Sequence, residues 1–488
     1  MTAAAETGAL PRQRGKNPES LGFRSRISFA LAEVGIQFSW TLVSSYLTLF
    51  YTDAVGLAPA VISIIMLGAR VFDAFFDPMM GVIEDRTRTK WGRYRPYILF
   101  GAPALAVFNV LTFSTFDVSN GFKVAYATVT YVLFGIIYAA VCIAQGSLSN
   151  VMTRDNNERN VLNSFRGVAA GFAGLVLSAI TMPIILYFGK GNTSSAIGFT
   201  MAAVVLSLLS LPCLWITFAN CKEVITAAKD QHKNVSVWHS LKVIFLQRNF
   251  LLEMIFVVIT LIALFGRFAV LMHYYIYVLG RADLVAMLSM VMTLAQLVSN
   301  CFVPYMAKRL SKKYCLCIAN IGMALGCVLI YLAGIGDARL WMVILGTGMM
   351  GFFNFLSPLL YGLTAELVDD TEVREGVRED GAGYSTFSFA TKLGNAFGGS
   401  IGVMCLGFVG FHANTEHSPA VKMAMSGVIN LGPAALYLLA LIPLLMIAMT
   451  NKKAAKNTEI LKARAKEREA AEAAEAEAAV AAAPNAAE

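Results

Sequence analysis

The 488-residue sequence is poor in charge, since Asp, Glu, Lys and Arg make up only 14% of it while hydrophobic residues make up 57%. Soluble domains carry about a quarter of their residues as charges. The eight cysteines are scattered and form neither a metal-binding spacing nor a disulfide framework. A Gly-rich phosphate loop and a nucleophile–base pair are also missing. We therefore predict that the chain is not an enzyme and needs no cofactor.

What the sequence has instead is a series of apolar runs of about 20 residues, the length that crosses a bilayer as a helix. Backbone polar groups must be bonded within such a segment, so helices are predicted, and the alternating pattern of barrel strands is absent. The predicted fold class is an all-α membrane protein with twelve spans, at residues 27–51, 58–83, 97–116, 124–152, 161–187, 194–218, 249–277, 283–306, 314–334, 339–366, 380–410 and 425–449.

A polar stretch in the middle of the chain divides these spans six and six. Two six-helix halves are the plan of transporters that move two repeats around a site near the membrane midplane. The predicted organisation is an N-terminal segment (1–26), a first half (27–218), a cytoplasmic linker (219–248), a second half (249–450) and an Ala/Glu/Lys-rich tail (451–488). The N-terminal segment lacks an apolar core and so does not resemble a signal peptide.

The net charge is +8, and the Lys and Arg residues are distributed unequally between the two sides of the predicted membrane topology. If both termini are cytoplasmic, thirty of the 39 Lys and Arg residues fall in cytoplasmic segments, and the external loops hold only Lys123, Lys190, Arg281, Arg339 and Lys422. This bias predicts a multi-pass protein of the cell membrane with both termini in the cytoplasm. It gives no support to a nucleic-acid partner.

A few charges lie inside the spans, where they are costly and mark functional sites. The bases are Arg70, Arg166, Arg267 and Lys392, and the acids are chiefly Glu33, Asp73 and Asp77.

Three of these charges share one face of helix 2, because Arg70, Asp73 and Asp77 are spaced three and four residues apart. Two adjacent carboxylates are tolerable if a cation lies between them, if one is protonated, or if Arg70 neutralises them. The first two arrangements would serve ion coupling. The third would be an ion pair that only holds the helix in place.

The stretch DAFFDPMMGVIEDRTRTKWGRYRP resembles the signature of the glycoside–pentoside–hexuronide:cation symporters, a branch of the major facilitator superfamily. The matching positions are Asp73, Asp77, Pro78, Gly81, Asp85, Thr87, Gly92, Arg93, Arg95 and Pro96. A second stretch, AELVDDTEVREGVREDGAGYS, resembles the loop between helices 10 and 11 of that family and leads into Lys392. The resemblance covers about residues 25–450.

This resemblance implies a symporter that imports a sugar, glycoside or hexuronide with a proton or sodium by alternating access. By similarity to its melibiose permease, Asp73 and Asp77 would bind the coupling cation, with a possible sodium site between them. The residues predicted to face the substrate, with Arg267 added as a further positive charge, are Gln37, Tyr138, Cys142, Arg166, Arg267, Ser388 and Lys392. The residues predicted to form a cytoplasmic clamp between the halves are Arg70, Asp85, Arg86, Arg93, Asp369, Glu372 and Arg378.

The sequence departs from the melibiose permease at the site itself. Gln37 and Cys142 stand where that protein has acids, and Phe76 and Ala139 replace polar residues beside the cation pair. Fewer acids beside the retained bases would make the cavity more positive and favour an acidic sugar, while fewer oxygens would favour a proton. Both choices stay open at this stage.

Two other functions are compatible with the same scaffold. One is a sodium-coupled lysolipid transporter, and the other is a membrane sensor that does not transport. The expected partners are a small sugar, possibly acidic, and membrane lipid, and the chain is expected to be a monomer.

Overall fold

The computed structural model describes residues 21–153, 156–224, 247–336, 339–375 and 380–464. Within these ranges the chain is helical, with a single isolated bridge between Thr89 and Gly92. Most of the predicted linker, the predicted clamp residue Arg378 and the tail beyond residue 464 lie outside the described residues.

The described chain forms twelve long helices, so the predicted all-α, twelve-helix fold is confirmed. Their bounds are α1 Phe23–Leu49 with a π-turn Phe50–Ala54, α2 Pro59–Arg86, α3 Arg95–Thr112, α4 Asn120–Met152, α5 Asn156–Phe188, α6 Ala196–Asn220, α7 Arg248–His273 with a π-turn Tyr274–Val278, α8 Leu284–Arg309, α9 Lys312–Leu332, α10 in two segments Leu340–Phe352 and Leu356–Glu375, α11 Asp380–Phe408, and α12 in three consecutive segments Pro419–Ser426, Gly427–Leu431 and Gly432–Met446. A short further helix, α13, covers residues 451–464.

Nine of these helices are long and apolar enough to cross a membrane on their own, counting only the described residues. The three that fall short are α2, α10 and α11. Helix α2 carries Arg70, Asp73 and Asp77, and the first segment of α10 has only 13 residues. Two of these three helices bear the predicted cation residues and Lys392, so hydropathy recognises poorly the helices that carry these charges.

Helix α10 differs from the single span predicted at residues 339–366. It is interrupted after Phe352, and the second segment starts at Leu356. The break frees backbone carbonyls, and the side-chain amide of Gln296 in α8 donates to the carbonyl of Asn354 at 3.1 Å. A break inside a span is tolerated when a neighbouring side chain bonds the freed backbone in this way.

The second half is held together by close glycine contacts between α7 and α11. A Cβ added at Gly398 would lie 3.0 Å from the carbonyl oxygen of Ile262, and one added at Gly402 would collide with the carbonyl of Gly266. Glycine is required at both places because the backbones themselves are in contact. Helix α11 also meets α2 of the first half, where the Ser63 hydroxyl donates to the carbonyl of Ser400 at 2.8 Å.

We call the end of the bundle at which α1 begins the terminal face and the opposite end the distal face. Helix α1 ends at the distal face, near the ends of α7 and α11. The positions of the functional residues below are given relative to these two faces.

The α7–α11 contact gives a testable expectation. Gly402→Ala should lower the melting temperature of the purified protein, because overpacking a tight contact costs about 1–3 kcal/mol. The matched control is Gly432→Ala in α12, where an added Cβ meets nothing within 4 Å. That control should melt at or above the wild-type temperature, since alanine favours a helix by about 1 kcal/mol over glycine. Equal melting of the two variants would contradict the assigned packing.

Candidate functional site

A cavity of about 810 Å³ lies between the two halves, and we call it the central cavity. Helices α1, α2 and α4 of the first half and α11 of the second half line it. The lining side chains that matter for its chemistry are Trp40, Arg70, Asp73, Asp77, Tyr138 and Lys392. Charged residues that are far apart in the sequence therefore meet in the central cavity.

The main contact across this cavity is the ion pair between Asp77 in α2 and Lys392 in α11. The Lys392 Nζ atom lies 2.7 Å from Asp77 Oδ2, and the two residues are 315 positions apart in the chain. The side chain of Lys392 is 40% exposed and that of Asp77 is 24% exposed, so both remain accessible from the cavity. One carboxylate and one ammonium thus join the two halves at the site.

The second carboxylate, Asp73, is paired within its own helix. The Arg70 guanidinium lies 3.6 Å from Asp73 Oδ2 and stacks over the ring of Trp40 at 5.3 Å. Arg70 was predicted in the clamp, but the structure puts it in the wall of the central cavity. Asp73 and Asp77 therefore each face one base, and these four charges sum to zero.

Helix α4 comes close to the carboxylates of α2 at a glycine, Gly135. A Cβ added at Gly135 would lie 2.9 Å from Asp73 Oδ1. One turn further on, Tyr138 stacks on Trp40 with ring centroids 5.1 Å apart, and Ala139 and Cys142 complete this wall. Neither Trp40 nor Gly135 was predicted. The sequence signal that could have identified Trp40 is a tryptophan inside an apolar span, next to the helix that carries the acids.

A second ion pair lies beside the central cavity, between Glu33 in α1 and Arg166 in α5. The distance from Arg166 Nε to Glu33 Oε2 is 2.6 Å. The Gln37 amide donates to Glu33 Oε1 at 3.3 Å, and the amide of Gln145, turned toward Glu33, donates to Oε2 at 3.1 Å. Arg166 and Gln37 are thus brought together, though not in the lining of the central cavity. Glu33 was recognised as an intramembrane acid but not predicted as a site residue.

Two predicted substrate residues lie elsewhere. Arg267 is only 2% exposed inside the second half, where its Nη2 atom reaches Asn430 Oδ1 of α12 at 3.4 Å. Ser388 is exposed on α11, and neither residue lines the central cavity. The expected excess of positive charge is therefore not found among Arg70, Arg166 and Lys392, because each has a carboxylate partner.

Of the predicted clamp residues, Arg86, Arg93, Asp369 and Glu372 lie at the terminal face. The backbone amides of Arg93, Tyr94 and Arg95 converge on the carboxylate of Glu223, the shortest at 2.8 Å. Arg86 is exposed at the last residue of α2, while the side chain of Asp85 is not among the described ones.

In the second half, Asp370, which follows the predicted Asp369, forms several ion pairs at this face. Lys453 of α13 lies 2.7 Å from Asp370, and Arg374 lies 3.1 Å from it. Arg464 donates to the carbonyl of the predicted Glu372 at 3.1 Å. The start of the tail is therefore packed against the last turns of α10.

A hydrogen-bonded cluster at the distal face was not predicted. We call Thr52, Asp53, His273, Tyr277 and Asn414 the distal cluster. The Tyr277 hydroxyl donates to Asp53 Oδ2 at 2.6 Å, and Asn414 donates to the Asp53 carbonyl at 2.8 Å. Thr52 Oγ1 lies 3.0 Å from His273 Nε2. These bonds join α1 of the first half to α7 and the α11–α12 loop of the second.

An aromatic stack covers this cluster. His417, in the loop before α12, lies 5.5 Å from the ring of Tyr277, and desolvation lowers the pKa of His417 below its usual value. The neutral imidazole therefore packs as an aromatic ring over the distal cluster.

The chain is similar to known sugar transporters in sequence and in fold. The family model described as MFS/sugar transport protein matches residues 28–451. The isoprimeverose transporter of Lactiplantibacillus pentosus is 32% identical over 80% of this chain and 82% of its own length. The glucuronide carrier protein homolog of Escherichia coli K12 is 31% identical over 89% and 94%. The crystal structure of a D-xylose–proton symporter superposes with a TM-score of 0.62 at 14% identity, over 88% of this chain and 99% of that one.

The fold and the family match define a membrane transporter of the major facilitator superfamily, not an enzyme. The chain belongs to the MFS/sugar transport protein family, and the predicted membership of the glycoside–pentoside–hexuronide symporters is confirmed.

The distal cluster generates a prediction about access to the central cavity. Tyr277→Phe removes the hydroxyl that donates to Asp53 but keeps the stacked ring. Hydrogen bonds to charged groups contribute about 1.5–3 kcal/mol, so the distal face should open about ten- to a hundredfold more often. Cys142 in the cavity should then be alkylated correspondingly faster by a membrane-impermeant maleimide applied from the distal side, as read by peptide mass spectrometry.

The control is Tyr126→Phe, which removes a distal hydroxyl bonded to the Leu111 carbonyl within the first half alone. It should leave the alkylation rate of Cys142 unchanged. An unchanged rate in Tyr277→Phe as well would show that the distal cluster does not close the cavity.

Proposed function

We propose that the protein imports a sugar or glycoside by symport with a cation, and that the cation acts by breaking the Asp77–Lys392 ion pair. The observation that supports this most directly is the position of that pair, at 2.7 Å between the two halves and in the wall of the central cavity. An ion that binds there changes both the charge of the site and the contact between the halves.

The coupling follows from competition for one carboxylate. Lys392 and the coupling ion both neutralise Asp77, so binding of the ion releases the ammonium group. The freed group offers up to three hydrogen-bond donors to the hydroxyls of a sugar in the same cavity. Since the ion favours sugar binding, the sugar favours ion binding by the same factor, as symport requires.

The donor set favours a proton over sodium as the coupling ion. Hard metal cations need several oxygen ligands. Ala139 and Gly135 bring no side-chain oxygen to the two carboxylates, and both carboxylates are already paired with bases. A proton requires only one carboxylate oxygen. A sodium ion at Asp73 and Asp77 would need ligands from the substrate or from water.

The charge balance favours a neutral sugar as the first candidate substrate. The sequence left an acidic sugar open because a positive cavity would favour it, and that reason is lost when Arg70, Arg166 and Lys392 are paired. An adjoining cavity of about 1050 Å³ shares Trp40 with the central cavity and presents neutral polar groups, among them Ser44, Thr293 and Gln296. Hydroxyls and amides suit the hydroxyls of a sugar, and the faces of Trp40 and Tyr138 suit its ring. A relative named for isoprimeverose points the same way.

An acidic sugar remains the second candidate for one specific reason. When Asp77 is neutralised by a proton, the charge of Lys392 is left uncompensated, and one substrate carboxylate would balance it. A relative named as a glucuronide carrier is consistent with this variant. The charged lining of the central cavity is less suited to a lysolipid chain, and the ion pair between the halves is more useful to a transporter than to a sensor.

The protein is a multi-pass membrane protein. We infer from the distribution of Lys and Arg that the terminal face is cytoplasmic and that both termini lie there. On that orientation the bonded distal cluster closes the external side. We also infer that a monomer transports, since the cavity is formed within one chain.

The coupling role of Asp77 is tested by Asp77→Asn in proteoliposomes. The variant should lose accumulation of substrate above equilibrium, because an amide neither binds a proton nor pairs with Lys392. Exchange of labelled for unlabelled substrate should persist. Tyr126→Phe is the control, with wild-type accumulation expected. Wild-type accumulation by Asp77→Asn would refute the assignment.

The substrate and the ion are tested by one uptake panel. Neutral disaccharides, glycosides and the matching uronides would each be tested as competitors of the uptake of a labelled sugar. Uptake would be driven either by a pH gradient or by a sodium gradient at fixed pH. We expect a neutral glycoside to compete best and the pH gradient alone to drive uptake. Uronides that compete better would favour the second candidate, and uptake driven by sodium at fixed pH would overturn the proton.

A further inference from the structure

Arg267 is a buried charge without a charged partner among the described residues. It lies in α7 with 2% of its surface exposed. Its one hydrogen bond in the described part of the chain is long, from Nη2 to Asn430 Oδ1 at 3.4 Å. Its Nε and Nη1 atoms are fully buried and have no hydrogen-bond partner there. The ion pairs of the other intramembrane bases make this residue an exception.

Hydroxyls and one thiol surround Arg267. Tyr274 and Tyr275 of α7, Tyr437 of α12 and Cys327 of α9 lie within electrostatic range of the guanidinium. The three tyrosine side chains are at most 1% exposed. The hydroxyls of Tyr274 and Tyr437 have no hydrogen-bond partner among the described residues, and that of Tyr275 lies near Thr347. Several polar groups in one apolar region therefore have unused hydrogen-bonding capacity.

Two separate requirements follow from this arrangement. Buried polar groups in proteins are almost always hydrogen-bonded, so something must accept from these donors. The guanidinium also stays charged under all ordinary conditions, and an unpaired buried charge costs several kcal/mol. Water would meet the first requirement only. An anion would meet both, because it accepts from N–H and O–H donors and balances the charge.

We propose that Arg267 and the surrounding tyrosine hydroxyls form a binding site for a small monovalent anion, chloride or another halide. Nε and Nη1 of Arg267 would donate to the anion together with hydroxyls of Tyr274, Tyr275 and Tyr437. The anion must be small, because Arg267 lines neither the central nor the adjoining cavity. The site lies within the second half, so it stands apart from the proposed symport.

The anion would also fix the geometry of α12. Asn430 belongs to the π-turn Gly427–Leu431, and its amide donates to the carbonyl of Ser426 at 3.2 Å. The same side chain offers its oxygen to Arg267. A halide at the guanidinium would hold α7 against this turn, so its removal should loosen the second half.

The test uses the purified full chain in detergent and its melting temperature. Sodium chloride and sodium bromide would be compared with sodium gluconate at the same sodium concentration and ionic strength. The expected result is a saturable rise of several degrees with chloride and bromide, and none with gluconate. Tyr437→Phe should raise the chloride concentration for half of the effect several-fold.

Two arginine variants separate a specific site from general salt effects. Arg267→Gln should melt at the same temperature in chloride and gluconate. Arg339→Gln, at an exposed arginine that donates to the Leu332 carbonyl, should keep the wild-type dependence. A wild-type protein that melts equally in both salts, or an Arg267→Gln variant that keeps the halide effect, would overturn the proposal.

A second measurement decides the matter if Arg267→Gln does not fold. Crystals of the wild-type protein grown with bromide should show an anomalous peak at hydrogen-bonding distance from Nε and Nη1 of Arg267. A map with ordered bromide elsewhere and none at this position would overturn the proposal and leave water as the occupant.

Discussion

The ion pair between Asp77 and Lys392 is the contact on which the central site depends. It joins a helix of the first half to a helix of the second at 2.7 Å, in a region where most neighbouring side chains are apolar. An isolated charge is costly there, so each of these residues needs the other or a ligand in its place. The same requirement explains why Asp73 faces Arg70 and why Glu33 faces Arg166. The arrangement of the cavity follows from balanced charges more than from shape.

The protein uses two kinds of polar contact between its halves. At the midplane the contact is ionic and accessible from a cavity, so a small ion can compete with it. At the distal face the contacts are hydrogen bonds among Thr52, Asp53, His273, Tyr277 and Asn414, covered by aromatic rings. Each hydrogen bond contributes about 0.5–3 kcal/mol, so these bonds can break one at a time. Such a division suits a molecule in which a ligand at the centre controls an opening at the edge.

The sequence was sufficient for the fold, because apolar length and the distribution of basic residues do not depend on tertiary detail. It was also sufficient for the meeting of Asp73, Asp77 and Lys392, since charges inside spans must face a common interior. The same rule placed Arg267 in the substrate cavity. A charged residue can also face the interior of one half alone, and Arg267 does so. The rotation of α7 that turns Arg267 toward α12 depends on glycine contacts with α11, and no local pattern encodes it. The partner of Arg166 was missed because Glu33 lies 133 residues away. The break in α10 was missed because an apolar run has the same composition whether or not the helix is interrupted.

The spacing of charges along α2 has a consequence for how the chain enters the membrane. Lys392 follows Asp77 by 315 residues, so at ribosomal speeds of about 5–20 residues per second roughly 15–60 s pass before it is made. During that time Asp73 and Asp77 have no partner in the second half. Arg70, only three residues from Asp73, is synthesised with them and supplies a counter-charge at once. The local ion pair thus lets a helix of poor hydropathy be inserted early, and the long-range pair replaces part of that support when translation is nearly complete.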